Sequence, residues 1–547
     1  PCKRMLRRVT RLCRVTRQRS RERSSRFCDP LRTMLRFIDS LYAALAARTV
    51  RKEELFMKRP NFLVFMTDHQ RGDTQPPLGL AKTPNLERLF QNGVAFRRAY
   101  CPSPHCCPSR ATFFSGLYPS EHGVWNNVDV PNTLSRGLYD GVRLFSEDLK
   151  ENGYRMLFSG KWHVSAEEGP DSRGFELVYH KKTYQKRPNV PDTSEWELYK
   201  KAGGFGDTAG QTRREGEILR PYYPDYQQYG AKENPFGDTD VAEHACQALE
   251  QVGTDQPFFL FVGPLGPHDP YIPPQRFLDL YDPAEIPLPE SFSDNMDDKP
   301  ALYRRTRDRY AQLTPEEHRE SIRRYLAFCS YEDWLFGQLL DVLEKRNLLE
   351  DTVVVYVSDH GDYVGAHRLW AKGLPCFQEA YHICSVVGYG GVKNPGRTED
   401  ALVSLADYAP TFLELAGIPC SRRMAGRSLA PFLRGEQPGG WRTRLFTQSN
   451  GNEVYGIQRA VFGGRYKYVF NAFDYDELYD LQEDPHETVN LIRRPDLQPV
   501  VKELCRELWK FAYENSDNIV NPYIMTALAP YGPGIAFSEE EAGPARA

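Results

Sequence analysis

Asn61-Phe62-Leu63-Val64-Phe65-Met66-Thr67-Asp68 is a short apolar run closed by a carboxylate. It does not alternate and has the length of a strand, so it reads as a strand buried on both faces of a parallel sheet. Residues 154–160, 258–263 and 352–359 share this form. Segments with helical spacing lie between them, among them 84–91, 141–152, 240–252 and 317–345. Strand and helix in alternation predict an α/β fold whose large mixed, mostly parallel sheet is covered by helices on both faces. Residues 402–417 (LVSLADYAPTFLELAG) have helical spacing interrupted at Pro410. After about Pro438 the pattern changes to short alternating strands, 455–461 and 466–470, and then to a helix over 497–513. That change predicts a smaller C-terminal subdomain of antiparallel sheet plus helix, with the main domain over 57–436 and the closing one over 437–547.

The 547 residues suffice for such an architecture, and 40% hydrophobic with 12% aromatic content fits a large core. A net charge of −3 gives no overall bias toward nucleic acid or an anionic membrane. No apolar stretch approaches the roughly 20 residues that span a bilayer. Residues 1–56 differ from the rest: sixteen Lys or Arg stand against five acidic residues. They read as a basic extension that does not pack by itself, and the natural protein is expected to begin near Met57. No signal peptide is evident there. Twelve cysteines are scattered without a repeated ligand spacing, which suits reduced thiols in a cytoplasmic protein; periplasmic and secreted locations stay open.

Polar residues gather where the apolar runs end. Asp68, Lys161, His163, His268 and Asp359 each lie at or just past such an end. Singly, each would be a turn residue. Together they predict one site, because ligands of open parallel sheets bind beyond the carboxyl ends of the strands. Residues 180–237, rich in Tyr, Pro and charge, read as an insertion over that site or as a plain surface loop.

Ser103-Pro104-His105-Cys106-Cys107-Pro108-Ser109-Arg110 precedes a segment of helical character at 111–116. A thiol beside an arginine at a helix N-terminus is more acidic and more reactive than a free one. From the residues alone, a cysteine nucleophile and a buried structural thiol are both open. Cys106-Cys107-Pro108-Ser109-Arg110, with Ser115-Gly116-Leu117-Tyr118-Pro119 behind it, resembles the signature of the type I, formylglycine-dependent sulfatases of the alkaline-phosphatase superfamily. The resemblance runs from about Pro60 to Leu491. It includes Thr67-Asp68-His69-Gln70, Gly160-Lys161-Trp162-His163, Pro267-His268-Asp269-Pro270 and Ser358-Asp359-His360-Gly361. It continues through 365–373, which ends on Lys372-Gly373, and closes with Glu477-Leu478-Tyr479-Asp480-Leu481.

This resemblance implies hydrolysis of a sulfate monoester, with Cys106 oxidised to formylglycine by a formylglycine-generating enzyme. It also implies a divalent cation held by Asp68, His69, Asp359, His360 and the modified Cys106. Arg110 would orient the formylglycine hydroxyls, and Lys161 and Lys372 would neutralise sulfate oxygens. His268, with Lys372, would serve the departing alkoxide, and His163 would take a proton from the second hydroxyl. Calcium is expected first and manganese close behind, with magnesium also open, since His69 and His360 replace oxygen donors by nitrogen. His69 departs from the Asp, Gln or Asn more usual at its position. The substrate is expected to be a small-molecule or carbohydrate sulfate ester, with neither nucleic acid nor membrane as partner. A phosphonate monoester hydrolase or phosphodiesterase of the same superfamily is the alternative, because both groups present similar anionic oxygens. His122 is read as structural ahead of a supporting role at the site. His367 is unassigned, and Cys376, His382 and Cys384 have no reading.

Overall fold

The structure is a computed structural model. It describes residues 59–536 except 78, 131–132, 183, 185–211, 220–225, 453, 522 and 525–530. The basic 1–56 segment and the middle of the 180–237 insertion lie outside the described residues.

The four apolar runs form the centre of one sheet. Its strands are β1 (Asn61–Thr67), β2 (Gly93–Phe96), β4 (Arg155–Gly160), β5 (Glu176–Tyr179), β6 (Phe258–Gly263), β7 (Thr352–Ser358), β8 (Ser385–Tyr389) and β9 (Arg397–Glu399), with the short β3 (Ala99–Tyr100) pairing elsewhere. The order across the sheet is β5-β4-β6-β1-β7-β8-β2-β9. Only β8 runs against the others, pairing antiparallel with both β7 and β2. The sheet is therefore mixed and mostly parallel, as expected.

Side chains alternate between two cores. Phe62, Val64 and Met66 of β1 join one cluster with Phe113, Phe145 and Phe412, while Leu63 and Phe65 join the other with Phe336 and Leu339. Each such buried side chain contributes about 1.5–3 kcal/mol, so a central strand with apolar residues on both faces has no solvent-exposed alternative.

The first cluster is covered by α2 (Cys106–Ser115), α3 (Phe145–Glu151) and α6 (Tyr408–Leu415), and the second by α1 (Pro84–Gln91), α4 (Asp238–Gln251) and α5 (Pro315–Lys345). The helical reading of 141–152 starts too early: α3 begins at Phe145, where Glu147 caps the Leu144 amide. Helix α2 starts earlier than the 111–116 reading and includes Cys106 as its first residue. Pro410 does not interrupt α6. It sits in the first turn, where the missing N–H has no acceptor to lose.

Strands β11 (Leu445–Gly451), β12 (Tyr455–Gly463), β13 (Tyr466–Asn471) and β14 (Glu477–Asp480) form an antiparallel sheet against α7 (Gln498–Glu514). Buried Arg459 of β12 is bound by the Asp517 carboxylate, 2.9 Å from Nη2 to Oδ1, and its guanidinium lies over Trp125 at 5.0 Å. Among the described residues no helix is long and apolar enough to cross a membrane.

Candidate active site

The site lies at the carboxyl ends of β1, β4, β6 and β7. Asp68 follows β1, Lys161 and His163 follow β4, His268 follows β6 by a short turn, and Asp359 and His360 follow β7. The two central turns are tied together: the Asp359 amide donates to Thr67 O at 3.1 Å and the Asp68 amide to Gly266 O at 3.1 Å. Sheet order thus brings together groups that are remote in sequence.

Cys106 opens α2 and is buried. Its Sγ lies 3.3 Å from His360 Nε2 and 3.6 Å from Asp68 Oδ1. Burial and Asp68 would raise the thiol; Lys161, Lys372 and His360 outweigh them and hold it well below its ordinary range. Arg110, one turn further along α2, is fully buried and gripped on two sides. Its Nε donates to Asp359 Oδ2 at 2.7 Å and its Nη1 to Lys161 O at 2.9 Å. Arg110 Nη2, 3.9 Å from Asp68 Oδ2, has no hydrogen-bond partner among the described residues.

Asp68 is completely buried, which alone would raise its carboxyl. Lys161, which donates to Oδ2, leads the basic neighbours that hold it well below the usual carboxylate range. Both ligand-type histidines are oriented from behind. His69 Nδ1 pairs with Asp362 Oδ2 at 2.7 Å, and His360 Nδ1 with Gly361 O at 2.8 Å. Each Nε2 lone pair therefore points inward. Burial, Lys372 and the neighbouring imidazoles keep His69 neutral by pushing it well down. Lys372 Nζ is shared between His69 Nε2 and His268 Nε2, the latter at 3.0 Å. Burial and Lys372 also lower His268, whose Nδ1 faces Asp269 O at 2.5 Å.

The donor atoms of Asp68, His69, Cys106 and His360 all lie within 4.8 Å of one another. Asp359 stands one step back: its Oδ2 is taken by Arg110, and its Oδ1 is 3.7 Å from His360 Nε2. His163 adjoins the cluster. Its Nε2 is 3.4 Å from Asp129 Oδ2, and its buried Nδ1 is unpartnered among the described residues. Burial would lower His163, but Cys107, Asp129 and Cys106 hold it well above its ordinary range.

Other sequence-flagged residues are structural. His122 is buried between Thr112 Oγ1 at 3.0 Å and the Val124 amide at 3.1 Å. His367 pairs with Asp294 Oδ2 at 2.7 Å and stacks on Phe377. His382 Nε2 meets Arg97 O at 2.8 Å with its ring tilted against Tyr100, and Cys376 and Cys384 are free and buried. Three supports were not read from the sequence. Asp362 shares the turn of Asp359 and could have been suspected as a carboxylate partner for a histidine. Asp129 and the buried Asp238–Glu332 pair carry no local pattern.

A cleft at the strand ends, ringed by fixed cations and centred on a nucleophile-type side chain at a helix N-terminus, defines a hydrolase of anionic esters. Comparison narrows the class. A family model described as Sulfatase matches residues 60–418, and one described as N-sulphoglucosamine sulphohydrolase, C-terminal, matches 365–514. The choline-sulfatase of Rhizobium meliloti is 30% identical over 459 residues, covering 80% of this chain and 83% of that protein. The N-acetylglucosamine-6-O-sulfatase of Bacteroides thetaiotaomicron is 24% identical over 539 residues, covering 85% and 88%. The solved phosphonate monoester hydrolase of Agrobacterium radiobacter shares the fold, with a TM-score of 0.68 at 22% identity over 84% of this chain and 96% of that one. The chain belongs to the sulfatase family of the alkaline phosphatase superfamily and is a sulfuric ester hydrolase.

Proposed function

We propose that the enzyme cleaves a sulfate monoester with a formylglycine made from Cys106 by a formylglycine-generating enzyme, assisted by one divalent cation. The observation that carries this reading is the approach of Asp68 Oδ1 and His360 Nε2 to the Cys106 side chain at the start of α2, inside a ring of cations. The donor set fits a metal: one anionic carboxylate and two imidazoles whose Nε2 lone pairs are aimed inward by Asp362 and Gly361. Asp68, His69, His360 and the oxygen of modified Cys106 would hold it, with Asp359 beside them. When bound, it would polarise the sulfate oxygens and the nucleophile. Family resemblance puts calcium first, and the two nitrogen donors keep manganese close behind.

The chain's own groups supply the rest. Arg110, immobilised by Asp359 and Lys161 O, offers Nη2 to orient the formylglycine hydrate. Lys161 and Lys372 neutralise the non-bridging oxygens in a site largely closed to water. The Lys372 ammonium is the proton-rich group beside neutral His268, and the two stabilise the leaving alkoxide. His163, oriented by Asp129, takes the proton whose removal expels sulfate and restores the aldehyde; because its surroundings favour the charged form, only its deprotonated fraction serves, and that fraction grows with pH.

The test is expression with a formylglycine-generating enzyme and the mass of the tryptic peptide bearing Cys106, alongside assays on 4-nitrophenyl sulfate and a phosphonate monoester. Formylglycine together with sulfate release, abolished in Cys106→Ala, is expected. Turnover of the phosphonate alone would overturn the sulfate assignment, and an unmodified Cys106 in active enzyme would overturn the nucleophile.

A further inference from the structure

Lys161, His163 and His268 line a cavity of about 440 Å³ that extends to residues outside the catalytic cluster. Its wall is not needed to hold a sulfate group. Lys181, Lys182, Tyr184 and Phe236 belong to this lining. Among the described lining residues there is one carboxylate, Asp129, engaged by Lys182 and His163, while the exposed Lys181 has Asp240 Oδ2, from outside the lining, only loosely at 3.8 Å. The lysines are held near aromatic faces: Lys181 Nζ lies 5.1 Å over Tyr179 and Lys182 Nζ 5.6 Å over Tyr184. Tyr184 is itself fixed by His180, whose Nε2 meets the phenol oxygen at 2.9 Å and whose ring stacks parallel to it. Phe236 stacks on Phe328.

A ring-shaped group finds aromatic faces in this lining, and the exposed lysines attract a further negative charge on it. A quaternary ammonium needs the reverse, an aromatic cage whose rim does not carry positive charge. We infer that this cavity selects sulfate esters whose leaving alcohol is a ring bearing a second anionic group, a carboxylate or another sulfate, and rejects cationic alcohols of the choline type. The inference rests on the sulfate-ester reading above and assigns Lys181 and Lys182 as specificity residues.

Three meta-substituted phenyl sulfates test it: 3-carboxyphenyl, 3-carbamoylphenyl and 3-(trimethylammonio)phenyl sulfate, nearly matched in size and differing in charge. In the formylglycine-bearing enzyme the carboxylate should exceed the carbamoyl ester by about tenfold in kcat/KM at low salt, with the ammonium ester last. The carboxylate-to-carbamoyl ratio should fall toward one as salt rises, and by about threefold or more in Lys181→Gln and Lys181→Gln/Lys182→Gln. Comparing ratios between enzyme forms cancels the intrinsic reactivity of each ester. A salt-independent ratio unchanged in both variants, or an ammonium ester preferred over the carboxylate, would overturn the inference while leaving sulfate hydrolysis intact. Cleavage of none of the three, with a phosphonate monoester turned over, would remove the sulfate reading and this inference with it.

Discussion

The turn that carries His268 is held by a carboxyl pair, and replacing Glu332 by Gln should change how the protein responds to pH. Asp238, the first residue of α4, accepts the Leu265 and Gly266 amides at 2.8 and 2.9 Å. Gly266 in turn accepts the Asp68 amide, so one carboxylate supports both His268 and Asp68. Glu332 of α5 lies against Asp238, and both are fully buried. Two carboxylates in contact cannot both be charged, so the pair retains a proton. Burial pushes Asp238 up to about 7 against the pull of the two amides, and burial with Asp238 pushes Glu332 well above the carboxylate range. Both groups bind protons more tightly folded than unfolded. Their stabilisation is therefore whole below the ordinary carboxylate range and is lost as pH rises through the folded values. For each pH unit over which Glu332 keeps a proton that the unfolded chain has lost, about 1.4 kcal/mol of stability is lost. Glu332→Gln keeps volume and a donor toward Asp238 but needs no shared proton. Between pH 5 and pH 8 its Tm should decline less than that of the wild type, by about 1–3 °C for each pH unit, at about 1–2 °C per kcal/mol for a chain of this size. Scanning calorimetry across that range, with kcat/KM at pH 8.5, checks it. Parallel Tm curves for the two proteins would refute the shared proton.

Asp362→Ala should weaken divalent-metal binding by about 10–100-fold, because His69 loses the partner that sets its tautomer. Titration calorimetry with manganese on the protein freed of metal by chelation reads this directly, and unchanged affinity would remove His69 from the ligand set. Asp517→Ala should destabilise the fold by about 3–5 kcal/mol, since Arg459 would be left buried and unpaired. Urea denaturation checks this, and a loss below about 1 kcal/mol would show that water reaches the guanidinium.

The central strands were legible because β1, β4, β6 and β7 are uniformly apolar, and their terminal residues pointed to the site. Strands β2, β8 and β9 were not read. Gly93-Val94-Ala95-Phe96 is short, and β9 (Arg397–Glu399) is polar and lies at the sheet edge, where pairing rather than composition makes a strand. The residues facing Cys106 were found through motif resemblance. Asp129 and Glu332 were not, since what makes them matter is a partner 34 or 94 positions away (His163 and Asp238), and nothing in the local pattern announces it.

The place of β1 in the sheet has a consequence for synthesis. Its two neighbours are β6 and β7, and Thr67 pairs in register with Ser358, 291 positions later. At about 5–20 residues per second, the ribosome needs roughly 15–60 s to cover that distance. Until β7 emerges, β1 has at least one edge uncovered, and the groups around Cys106 that follow β7 are not yet there to converge on. Cys106, 1% exposed once folded, is open to a modifying enzyme during this same wait. A topology that completes the active site only late in the chain also leaves Cys106 within reach until then.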